Sequence, residues 1–307
     1  MANWRSGLAR VGGGLLLAGL SACSGPALTP LQSQYQREEE RALRYHARGE
    51  LPRALAAWRE SLRWAEIADD RPAILRQELN VGVVALALGD WVLAEQSFQR
   101  AQRLAAALSN SAGELRASLG LAQISLRQGR FGDAQRRFQQ VLDDARGRDI
   151  AAALVALNGL GLAFQALGQM PAALAALAEA EPLARAHGDQ HLLAATLANR
   201  AALALRAGEE EPAGRYLEEA VALDRAAENL PGLAHDLLLL AQVRQRQGDA
   251  PTALELEQRA KTILQHTGQH HQTDRRERAE GSVERKSGVR SGQAGLKSDE
   301  QDGASVE

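Results

Sequence analysis

The chain lacks most of what proteins use for cross-links and chemistry. It holds one cysteine, Cys23, in 307 residues. No internal disulfide can form, so stability must come from packing. Aromatic residues make up only 4% of the sequence against 45% hydrophobic residues overall. The core must therefore be mostly leucine and alanine, which suits close helix packing better than a sheet or an aromatic-lined cofactor pocket. There is no Gly-Lys-Ser/Thr phosphate loop, no Gly-x-Ser-x-Gly elbow and no His-Glu-x-x-His zinc motif. Each would be needed to bring its chemistry onto one turn or helix face. His266, His270 and His271 lie at a polar C-terminal stretch without ligands arranged to close a metal site. His187 and His191 are separated by Gly188-Asp189, which breaks a helix between them. We expect neither catalysis, nor a metal, nor a cofactor. A basic excess is missing too: formal net charge is −2, which argues against a nucleic-acid partner.

What is present is a repeat. Gly49, Gly89, Gly129, Gly168, Gly208 and Gly248 are spaced by 40, 40, 39, 40 and 40 residues. Self-similarity at this period means stacked supersecondary units. Five residues after each glycine stands alanine: Ala54, Ala94, Ala134, Ala173, Ala213 and Ala253. Twelve after stands Ser61, Ala101, Val141, Ala180, Ala220 or Ala260. Upstream of each glycine runs an apolar stripe at helical spacing, such as Leu75, Leu79, Val83 and Leu86, and downstream another, such as Leu93, Phe98, Ala101 and Leu104. A helical hairpin explains the set. The glycine supplies the positive φ past a helix end, and the alanine lets two helix backbones cross closely. Second breakers such as Asp69-Asp70-Arg71-Pro72, Arg146-Gly147 and Asn229-Leu230-Pro231-Gly232 separate the hairpins. The expected fold is an all-α, right-handed superhelical solenoid of about six hairpins over residues 32–265.

These residues resemble a tetratricopeptide repeat array from about Leu31 to Gln265. The large residue that the family places four after the alanine is here Trp58, Phe98, Phe138, Leu177, Leu217 and finally Glu257, so the match fades toward the C-terminus. The 40-residue period looks like the long-repeat variant found in kinesin light chains and spindle scaffolds. That variant often carries Asn-Leu-Gly in its first helix. Here stand Asn80-Val81-Gly82, Asn199-Arg200-Ala201 and, displaced by one, Asn158-Gly159.

The N-terminus carries a second signal. Arg5 and Arg10 precede an apolar or glycine run from Val11 to Leu20, too short to span a bilayer and read as a leader. It ends in Leu20-Ser21-Ala22-Cys23, which resembles the bacterial lipobox. The resemblance implies a signal peptide at 1–22, acylation of Cys23 (palmitate-type chains), and a short linker at 23–31. The expected location is the cell envelope, anchored by lipid to the outer membrane and facing the periplasm.

Charge is unevenly spread. Residues 32–148 hold 18 basic and 15 acidic side chains, and residues 149–265 hold 9 and 15. Residues 266–307 have no aromatic and few large aliphatics, a composition that cannot offset its ordering entropy; a disordered polar tail is expected. The last helix is expected to cap the array, burying Leu254, Leu256 and Ile263.

Two functional classes fit. One is an interaction scaffold holding a partner peptide or helix in a concave groove lined by first helices. The other is a structural assembly factor, of pilotin or outer-membrane-assembly type, acting through its convex surface and loops. For the groove, the repeat frame singles out Asn80, Asn158 and Asn199. In the resembling scaffolds these amides hold an extended peptide backbone. It also aligns Arg76 with Arg116, Gln123 with Gln242, and Arg127, Arg206 and Arg246 two residues before their glycines. Aligned guanidinium groups favour an acidic partner segment through charge-assisted bonds.

Overall fold

The computed structural model describes residues 29–266. The expected leader with Cys23, and the expected tail after its first residue, with His270 and His271, lie outside the described residues; His266, expected in the tail, instead ends the last helix. Twelve α-helices fill the described range: α1 Pro30–Ala47, α2 Leu51–Ile67, α3 Arg71–Leu88, α4 Trp91–Ala107, α5 Ser111–Arg127, α6 Phe131–Ala145, α7 Ile150–Ala166, α8 Met170–His187, α9 Gln190–Ala207, α10 Glu210–Ala226, α11 Leu230–Arg246 and α12 Ala250–His266. They form six consecutive hairpins, and α1 starts inside the stretch read as linker. Among the described residues no helix is long and apolar enough to cross a membrane.

Local chemistry sets both kinds of turn. Within each hairpin the six framing glycines have φ between 72° and 82°, where a Cβ would be strained. Between hairpins the first helices start on Asp70, Asn110, Asp149, Asp189 and Asn229. Each side chain accepts a bond from a backbone N–H two or three residues on. Such a cap satisfies one of the donors a helix start leaves open, at about 1 kcal/mol each.

The close crossings fall where the repeat frame puts them. Ala54, Ala94, Ala134, Ala173 and Ala213 are fully buried, and Ala253 is 2% exposed. The large residues four further on are buried as well, from Trp58 through Leu217, while Glu257 is exposed on the last helix. One expectation fails there. Leu256 is buried and Ile263 half-buried, but Leu254 is 68% exposed. Its counterpart Leu174 is 52% exposed, whereas Leu55 in the first hairpin is half-buried against the core and Gly214 is buried, so burial at this position is set by what packs on each helix.

The stack is curved. Successive first helices touch one another, α3 with α5, α5 with α7, α7 with α9 and α9 with α11, while the second helices approach one another less closely. The first helices therefore line the inside of the curve.

Candidate binding groove

Counting back from each turn glycine places the inner surface. Thirteen before it stand Arg76, Arg116, Val155, Ala195 and His235; two before it stand Ala87, Arg127, Ala166, Arg206 and Arg246. All but half-buried Val155 are exposed. Between these rows, six before the glycine, lie Leu43, Val83, Gln123, Leu162, Ala202 and Gln242. The floor of the middle hairpins is thus small and apolar, with cationic groups toward both ends.

The aligned arginines differ in what they touch. Arg76 is held by Glu39 of α1 through two bonds, Nε to Oε1 at 3.1 Å and Nη2 to Oε2 at 3.2 Å. Arg246 donates from Nη1 to the Leu205 carbonyl at 2.5 Å, capping the C-terminal end of α9, where a cation is favoured. Arg116, Arg127 and Arg206 have no ion pair among the described residues.

His235 belongs to the same row as Arg76 and Arg116, a placement that the glycine frame allowed but that we did not draw from the sequence. It keeps solvent access. Surrounding protein, and after it the Arg127 guanidinium, hold its imidazole below the ordinary range. Arg127 lies three hairpins earlier in the chain, on the same inner face.

The asparagines divide in the same way. Asn158 is buried and donates from Nδ2 to Thr196 Oγ1 at 2.9 Å, while Asn199 Nδ2 donates to Asn158 Oδ1 at 3.0 Å. Thr196 in turn donates to the Leu192 carbonyl at 2.8 Å. Asn158 is thereby committed to joining α7 with α9. Asn199 is half-buried with its Oδ1 still available, and Asn80 is half-buried with no side-chain bond. Gly120 and Gly159 occupy the equivalent position in the two middle hairpins. Gln123 is half-buried and Gln242 exposed, both on the inner face. Among the described residues no group of three His, Cys, Asp or Glu side chains is placed to hold a metal ion.

Three buried carboxyl groups went unnoticed in the sequence. Glu78 of α3 is 3% exposed, its pKa raised by burial, and paired with Arg100 at 2.9 Å. Asp236 is 2% exposed and its Oδ2 has no hydrogen-bond partner. Burial, reinforced by nearby Asp224, pushes its pKa up to about 8. Asp224 is itself 2% exposed, accepts from Asn229 Nδ2 at 2.9 Å, and is raised by burial. The frame carried the signal. Ala65, Ala105, Ala145 and Ala184 take the place of Asp224 in the earlier hairpins, and buried Gln77, Ala117, Ala156 and Thr196 that of Asp236.

A solenoid of helical hairpins with this turn frame defines a class, and comparison supplies the family. The tetratricopeptide repeat model matches residues 70–146 and 149–226. The chain belongs to the tetratricopeptide repeat family. No curated protein matches it in sequence at a significant level. Among solved structures it is similar to the Rap conjugation gene regulator of plasmid pLS20 in complex with the Phr* peptide. That likeness has a TM-score of 0.63 and 15% identity, over 80% of this chain and 66% of that one. It is also similar to BtubC from P. vanneervenii, with a TM-score of 0.51 and 18% identity over 91% and 98% of the two chains. PilW, a type IV pilus biogenesis factor, gives 0.51 and 18% over 74% and 92%. At these identities the likeness is one of fold.

Proposed function

We propose that this protein is an envelope-anchored scaffold whose inner groove holds an acidic, mostly extended segment of a partner protein. One contrast carries the reading. Arg100, Arg146 and Arg185 each reach a glutamate of another helix, whereas Arg116, Arg127 and Arg206, which share the inner face with Asn80 and Asn199, have no ion pair among the described residues. A partner would supply them, with bidentate pairing favouring carboxylate. Asn80 and Asn199 would hold its backbone, since an amide donates and accepts at once. The apolar floor at Leu162 and Ala202 favours small or aliphatic side chains in the middle of that segment. The Phr* peptide of the similar Rap regulator supports a peptide-sized occupant in this kind of fold. The anchor would be acyl chains on Cys23, with Ser24 (not Asp) after it favouring the outer membrane by the usual sorting pattern.

Affinity capture from the native envelope, with a detergent-solubilised and acylated bait, tests the groove. Reversing Arg116, Arg127 and Arg206 to Glu should abolish capture while circular dichroism stays unchanged. Replacing Asn80 and Asn199 with Ala should weaken it. Capture that survives both changes, or a partner mapped onto the second helices alone, rejects the groove.

A further inference from the structure

The outer face carries a ladder of charge pairs in one register, and the ladder has a gap. The residue seventeen after a turn glycine reaches the residue eleven after the next one. Glu66 of α2 takes Arg100 of α4 at 2.6 Å, Arg146 after α6 takes Glu179 of α8 at 2.8 Å, and Arg185 of α8 takes Glu219 of α10 at 2.6 Å. The second junction is filled by neutral Ala106 and Gln140. At the fifth the same register sets Arg225 of α10 opposite Arg259 of α12. Both are exposed arginines. Neither has an ion pair among the described residues, although Glu228 and Glu255 stand close by in sequence. Two like charges thus occupy a place where three other junctions put a guanidinium beside a carboxylate. Arg259 itself lines a shallow cleft on α12, together with Pro251, Leu254, Glu255, Gln258, Thr262 and Ile263, with Leu254 68% exposed.

We propose that this junction is a second docking surface, separate from the inner groove. Its occupant is a partner-protein segment that inserts an Asp or Glu side chain between Arg225 and Arg259 and rests an apolar side chain on Leu254. The carboxylate follows from the register, because that is the group the matching rungs hold. The apolar side chain follows from the exposed leucine beside it. A carboxylate between two guanidinium groups relieves their repulsion and gains charge-assisted bonds, so the segment is selected by charge as well as by shape.

The test uses the full chain in its native cells, with a photocrosslinking amino acid at Gln258 and, as the matched control, at Gln139 in the same frame position. The expected result is an adduct at 258 with a protein segment bearing Asp or Glu, absent at 139. It should be lost in both Arg259→Glu and Arg225→Glu, and kept when Arg116, Arg127 and Arg206 are reversed. Arg259→Glu also rebuilds the missing rung and should raise Tm by roughly 1–3 °C. The proposal is overturned by equal adducts at 258 and 139, by none at 258, by an adduct indifferent to the charge reversals, by one with lipid, or by an unchanged or lowered Tm in Arg259→Glu.

Discussion

Phe98 of α4 lies flat against Gly120 of α5: a Cβ placed on Gly120 would sit 2.4 Å from the ring Cζ. The same ring closes on Gly82 of its own hairpin, where a Cβ would sit 2.8 Å from Cε1. One aromatic side chain thus joins two hairpins through two helical glycines. Phe138 repeats half of this against Gly159, with a Cβ at 2.4 Å from Cζ. The relation also explains the broken row of asparagines. Where the large residue is Phe, the facing position is Gly. Where it is Trp58 or Leu177, the position is free to be Asn80 or Asn199.

Gly120→Ala should therefore destabilise, although alanine alone improves a helix interior by about 1 kcal/mol. Overpacking against a buried ring costs about 1–3 kcal/mol, and the ring is held on its other side by Gly82. Denaturant unfolding should show a net loss of about 1–2 kcal/mol. In the double variant with Phe98→Leu the losses should fall short of additivity by at least about 0.5 kcal/mol. Strict additivity would mean that the two sites do not touch.

Asn158→Ala removes the link between α7 and α9 and leaves Asn199 and Thr196 without their shared partner. A buried, bonded amide lost in this way costs about 1–3 kcal/mol. Asn199→Ala should cost less, because Asn199 is only half-buried. If the two variants unfold at the same denaturant concentration as the parent, the network contributes nothing to stability.

Much of this fold was legible in the sequence because its constraints are local. A positive φ needs glycine at Gly89 whatever surrounds it, and a helix crossing needs alanine at Ala94. Pairing in the groove was less legible because it depends on the neighbouring hairpin. Arg76 and Arg116 share one frame position, yet only Arg76 is paired across to the preceding first helix; Glu39 stands 37 residues before it, whereas Leu79 stands in the matching place for Arg116 and the neighbouring Glu78 is buried and paired with Arg100. Leu254 was misread for a similar reason, since the side of a helix that is buried is fixed by what packs on it and not by its own stripe. Asp224 and Asp236 needed a different comparison, of each residue with its counterparts: alanine in all four earlier hairpins marks the place of Asp224 as interior, whereas that of Asp236 is mixed, with Ala117 and Ala156 beside Gln77 and Thr196.

Cys23→Ala should release the protein from membranes. One acyl chain gives marginal binding, and stable anchoring takes two signals, so an acylated Cys23 carrying several chains would hold firmly and an unmodified residue would not. Fractionation of cells expressing the parent and the variant checks this. A parent protein found wholly in the soluble fraction rules out the anchor.

Asp236 makes stability depend on pH near neutrality. In the folded chain its carboxyl holds a proton up to about pH 8, whereas the unfolded chain releases it at the ordinary aspartate value of about 3.9. The folded state therefore binds more protons between these limits, and stability must fall as pH rises through that window. Asp224, also raised by burial, acts with the same sign from the acid side. His235 acts oppositely: its lowered imidazole favours the fold above the ordinary histidine range and is lost on acidification. Between pH 7 and 8 Asp236 dominates. Going from pH 8 to 7 should stabilise the protein by up to about 1.4 kcal/mol, a rise in Tm of roughly 3–5 °C for a chain of this size. Asp236→Ala restores the residue found at Ala117 and Ala156 and removes an oxygen without a partner. It should stabilise at pH 8 by about 1–3 kcal/mol, and its advantage over the parent should shrink as the pH is lowered. Thermal melts of both proteins at half-unit steps from pH 6.5 to 8.5 would decide the matter, and parallel curves would show that Asp236 is already ionised in the folded chain.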